Sequence, residues 1–144
     1  KHAMRVLPGF DENAKIKLYE KAISFYKTLY ETDDFFFDAE SLAFVEKHLA
    51  NIYASQKDSE NTLFHLAECV KYTLIFDTYD ETKETYTSII PYGRTPVGVN
   101  RNQQWNTSHE MLMRLHQDDN YEFLRDNNTF KTLIERLKQT DNML

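Results

Sequence analysis

His109-Glu110 followed by His116 gathers two imidazoles and a carboxylate in one short segment, the groups with which zinc hydrolases hold a metal and activate water. The spacing does not serve that chemistry. A helix presents paired ligands at i and i+4, and the residue four after His109 is Met113. His48 and His65 each sit inside an apolar helical pattern, with no cysteine or carboxylate cluster at metal spacing beside them. The acidic pairs Asp33-Asp34, Asp80-Glu81 and Asp118-Asp119 fall where turns and helix ends are predicted, so capping and solvation account for them. There is no Gly-rich phosphate loop and no nucleophile elbow. The one cysteine, Cys69, lies in an apolar pattern and reads as a small core residue. The expectation is a domain without catalysis, metal or cofactor.

The residues suited to holding a partner, rather than to changing one, stand on helices. Asp11 is placed to cap a first helix, on which Leu18, Ala22, Phe25 and Leu29 form one stripe and Tyr19, Ile23, Tyr26 and Tyr30 an adjacent one. Two apolar flanks suit a helix that touches a neighbour on each side. Phe35, Phe36 and Phe37 are expected to plug a helix junction, one of them partly exposed. Asp38 then opens a helix with Leu42, Val45, Leu49 and Ile52 on one face. The polar run Ser55 to Ser59 reads as a short turn, with Asp58 or Ser59 capping a helix that carries Leu63, Leu66, Val70 and Leu74. A turn this short makes the two helices antiparallel neighbours. Small residues at Ala50 and Cys69 allow their axes to approach.

Helical periodicity stops between residues 82 and 104, where Tyr86-Thr87-Ser88-Ile89-Ile90 precedes two prolines and two glycines, and an irregular loop is expected there, part of it packed back on the helices. Thr107-Ser108-His109-Glu110 has capping-box spacing and leads a short helix with Met111, Leu112 and Leu115 inward. A last helix with Phe130, Leu133, Ile134 and Leu137 inward closes the array, its outer face supplied by Lys131, Glu135, Arg136 and Lys138.

With 144 residues the chain fits one domain, 1–144. Only three glycines and three prolines are present, and two of each fall between Ile90 and Val99, which favours an all-α fold. A net charge of −6 argues against gripping a phosphate backbone directly. No apolar run is long enough for a membrane span and no signal peptide opens the chain, so a cytoplasmic location is expected. A start at Lys1-His2-Ala3-Met4 suggests a fragment, a trimmed product or a few foreign leading residues.

Leu49, Ala50 and Tyr53, with Leu66 and Cys69, resemble the Leu, Gly/Ala, Tyr and large-small positions of a tetratricopeptide hairpin. Glu46 stands where that repeat has Trp, Thr62 where it has Ala, and no Pro closes the repeat near Leu74. Ala22 and Tyr26 resemble the second half of an earlier repeat, although the step from Ala22 to Thr62 exceeds the roughly 34-residue ideal. With Tyr86-Thr87-Ser88-Ile89-Ile90, Phe123-Leu124-Arg125 and Phe130, the chain is similar to the C-terminal region of Cro/C1-type (XRE-family) helix-turn-helix regulators of Gram-positive bacteria. That resemblance implies tetratricopeptide-like antiparallel helical hairpins, an alpha-alpha superhelix with one long irregular loop and a C-terminal capping helix. It implies a regulatory domain that binds a peptide or protein, or dimerises, and that meets DNA only through an upstream domain absent from these residues. Glu46, His48 and Asn51 are the candidate partner-binding residues, Asn51 because an amide can bond an extended backbone on both sides. Lys17, Lys21 and Lys27 offer a face for an acidic partner. The alternative is a stand-alone helical-repeat scaffold for protein assembly.

Overall fold

A computed structural model describes residues 10–35, 38–78, 86–91 and 107–142. The described residues form an all-α domain of five α-helices and one 3₁₀ helix packed against one another. Helix α1 (Glu12–Leu29) starts where Asp11 accepts the Ala14 amide at 2.7 Å. Its C-terminal turn leads through Asp33, which takes a left-handed φ of 57° that aspartate tolerates, to Phe35. Phe35 is wholly buried between the rings of Tyr30 and Tyr72, so it does plug a junction; Phe36 and Phe37 lie outside the described residues.

Helix α2 (Asp38–Ser55) is the centre of the molecule. It buries residues around its whole circumference, from Leu42 and Val45 to Ala43, Lys47 and Ala54. Asp38 lies inside its first turn, where it accepts the Tyr30 hydroxyl. A tight turn at 56–58, with Lys57 at φ 58°, hands over to α3 (Ser59–Asp77), and Asp58 caps it by accepting the Asn61 amide at 3.1 Å. α2 and α3 make the most extensive helix pair in the fold. Leu49, Ala50, Leu66 and Cys69 are all fully buried, and Tyr53 is half-buried.

Helix α4 (Thr107–Gln117) buries Met111, Leu112 and Leu115 as its pattern predicts. Its start corrects the capping-box reading. Asp77, at the end of α3, accepts the Thr107 amide at 3.2 Å and the Ser108 amide at 2.6 Å, while Glu110 pairs with Arg114 instead of reaching back. The 3₁₀ helix Asp119–Leu124 follows, held to α4 by Arg125, whose guanidinium donates to the Leu115 and His116 carbonyls at 3.0 and 2.7 Å. Helix α5 (Asn128–Asp141) is capped by Asn127 and packs Phe130, Leu133, Ile134 and Leu137 against α3 and α4.

Of the expected irregular loop at 82–104, residues 86–91 are described and are not helical. They lie back on the α1–α2 corner: Asp34 accepts the Thr87 amide at 2.7 Å, the Thr32 and Ser88 hydroxyls are 2.9 Å apart, and the Tyr86 ring lies 5.6 Å from that of Tyr30. α1 departs from expectation. Its Tyr19 stripe is packed on α2; of the other stripe Ala22 and Leu29 are partly buried against the core, whereas Leu18 and Phe25 stand open to solvent.

Candidate functional site

Because α1 and α3 both lean on α2 without closing on each other, an open groove of about 550 Å³ runs between them. α1 contributes Glu20, Ile23, Ser24, Lys27 and Thr28 to one wall; Asn61, Phe64 and His65 of α3 form the other; Glu46 and Tyr53 of α2 make the floor. Near the start of α1, the Gln56 amide donates to Glu12 at 3.0 Å and ties α1 to the α2–α3 turn.

The floor is chemically unusual. Glu46 is only 2% exposed, and its carboxylate lies 2.7 Å from Nδ1 of His65. The imidazole is sandwiched by aromatics: Tyr53 stacks on it at 5.4 Å and 3° between planes, and Phe64 meets it edge-on at 5.0 Å and 81°. A buried carboxylate held this way cannot swing out, which gives the floor a fixed polar point in an apolar setting. Desolvation, and then the charges of Glu20 and Asp58, push the Tyr53 phenol above its ordinary range, so it remains a neutral donor facing the groove.

The three candidate residues of α2 do not share a face. Glu46 is in the groove floor. His48 lies against α1, its ring flat on Tyr19 at 5.4 Å, and desolvation followed by the charges of Lys47 and Arg114 lowers its pKa. Asn51 turns toward the 3₁₀ helix, where its side-chain oxygen accepts from the Tyr121 hydroxyl and, at 3.3 Å, from Lys47. Steps of two and five residues turn a helix by about 200° and 140°, so helical geometry sets Glu46 on the side away from His48 and Asn51, which lie about 60° apart and meet different neighbours.

His65, Phe64 and Tyr53 were not legible as one site, since His65 and Glu46 are far apart in sequence. The available signal was a lone polar residue inside the apolar face of each of two adjacent antiparallel helices. Beyond the groove, Lys47 is buried to 8% exposure over the Tyr121 ring, with the Asn51 oxygen as its hydrogen-bond acceptor. Burial pushes the Cys69 thiol up to about 12, and its Sγ sits 3.6 Å from the Met111 sulfur, an inert setting. No group of three or more potential metal ligands occurs among the described residues, and none of their helices is long and apolar enough to cross a membrane. Comparison with known protein families, curated proteins and solved structures finds no match.

Proposed function

We propose that this domain is a non-catalytic, tetratricopeptide-like binding module that receives an extended peptide or a protein segment in the groove between α1 and α3. The observation that carries the reading is the groove itself: an open channel with an exposed aromatic wall at Phe64, 59% exposed, and a fixed polar floor at Glu46 and His65. Aromatic anchors beside a few fixed polar groups are what peptide-binding grooves use for affinity and register. The resemblance to Cro/C1-type regulators supports a regulatory role, in which an occupied groove shifts the population of a state that spaces attached DNA-binding modules.

The test is to pan a random linear peptide library on the protein and to measure the selected peptides by fluorescence anisotropy. Phe64 is exposed, so Phe64→Ala leaves the fold intact and is expected to weaken binding by about 1 kcal/mol or more. A library without binders, or binders indifferent to both Phe64→Ala and Tyr53→Ala, overturns the reading. Sequencing the gene upstream of the Lys1 codon tests the regulatory part: an in-frame helix-turn-helix supports it, and its absence leaves an assembly scaffold.

A further inference from the structure

We infer that the groove between α1 and α3 is built around an arginine of its peptide, with the guanidinium seated on the Glu46–His65 pair of the floor. The inference rests on the reading of this groove as a peptide site and names the side chain that anchors there. Glu46 and His65 are 2% and 9% exposed, yet each keeps one polar atom for an occupant. One carboxylate oxygen of Glu46 is held by Nδ1 of His65; the other accepts no hydrogen bond among the described residues and is not sealed from solvent, so it opens on the groove that Glu46 lines. The same holds for Nε2 of His65. An ionised carboxylate only accepts, so Nδ1 donates the proton of that bond, and in the neutral imidazole Nε2 is left as an acceptor. The pair thus offers two acceptors and no donor.

Two open acceptors, one of them charged, call for an occupant that brings several donors and a positive charge. Guanidinium fits best: five N–H donors in a plane, no acceptor, and a charge that proteins do not remove. The aromatic surroundings choose it over an ammonium. Tyr53 lies flat on the imidazole and Phe64 stands edge-on to it, and guanidinium stacks on such rings and sheds its hydration more easily than ammonium does. Glu20 adds a second carboxylate to the lining, although Lys17 and Lys21 flank it on α1, so the weight rests on Glu46. Lys27, the one cation among the lining residues, forms an ion pair with neither carboxylate. The net charge of −6 also favours a cationic peptide over an acidic one.

The probes are fluorescein-labelled peptide pools, randomised around a fixed central arginine, with matched pools that carry citrulline or lysine at that position. Citrulline keeps the shape and loses the charge. By fluorescence anisotropy the arginine pool is expected to bind roughly tenfold or more tighter than the citrulline pool, to bind tighter than the lysine pool, and to weaken with added salt. Glu46→Gln, whose amide oxygen still accepts from His65, is expected to weaken the arginine pool roughly tenfold. The citrulline comparison uses no variant, so it decides the matter if Glu46→Gln unfolds the chain by circular dichroism. Equal binding of the arginine and citrulline pools, both weakened by Phe64→Ala, overturns the arginine anchor and leaves the peptide groove standing. Equal binding of the lysine pool overturns the guanidinium in favour of any cation. Binding of the arginine pool that a folded Glu46→Gln and Phe64→Ala both leave unchanged overturns it in favour of another acidic surface. Absence of binding by every pool overturns the arginine anchor alone if the random library yields groove binders, and the groove reading with it if the library yields none.

Discussion

At the scale of single residues, the two most consequential side chains are buried polar groups on α2. Glu46 relies on His65, and removing one member of a buried, hydrogen-bonded pair leaves the other desolvated without compensation. His65→Leu is therefore expected to cost about 3 kcal/mol. Glu46→Leu/His65→Leu should recover much of that loss, because an apolar pair of similar size carries no desolvation cost; urea denaturation of both variants checks this, and a double variant no more stable than His65→Leu contradicts it. Lys47 is different, since it forms no ion pair among the described residues. Desolvation is the largest influence on it and lowers its pKa from the ordinary lysine value, although the charge of Asp118 favours its protonated form. A folded pKa below the unfolded one means that, between the two, the unfolded chain binds more protons and stability rises with pH. Lys47→Met removes the charge that burial penalises, so it is expected to stabilise the fold by about 1 kcal/mol at neutral pH and to flatten the rise in stability toward pH 10. A lower melting temperature for Lys47→Met would show that its bond to Asn51 outweighs the cost of burial.

At the scale of elements, the helices were legible where local chemistry defines them and obscure where distant residues do. Asp11, Asp58 and Asn127 each cap a helix from within their own segment, a signal that a linear reading registers or can register. The start of α4 is another matter. Thr107 and Ser108 carry the residue types of a cap, yet they are already helical, and the carboxylate that satisfies their amides arrives from Asp77 thirty residues earlier. Local sequence cannot say which distant acid will arrive. The same holds for Arg125, which satisfies the last carbonyls of α4 from beyond the helix, and for Asp34, which holds the Thr87 segment. Asp77→Ala strips a buried helix terminus of its acceptors and is expected to cost about 2 kcal/mol, the upper end for a lost cap. Asp77→Asn keeps an acceptor and should cost less, so thermal melts in which the two variants are equally stable would sink this account of the α3–α4 junction.

For the whole molecule, the position of α1 ties the stability of that helix to the proposed peptide groove. Nine residues of α2 and nine of α3 are buried, against only Tyr19 and Ile23 in α1. Sequence periodicity revealed both apolar stripes of α1 but not which one the fold would cover, because each stripe alone has helical spacing and the choice depends on which neighbours arrive. The result is an edge helix that forms one wall of the groove and leaves Leu18 and Phe25 in solvent. Such an element opens before the core, since fewer apolar contacts and hydrogen-bonded partners are lost when it leaves. Native-state hydrogen exchange should show α1 amides exchanging through an opening roughly 2 kcal/mol or more below that of α2 and α3. A peptide seated between α1 and α3 contacts both walls only when α1 is docked, so it must raise α1 protection by the same free energy with which docking favours the peptide. Uniform protection across α1, α2 and α3 in the free protein would remove this coupling and leave the groove a rigid slot.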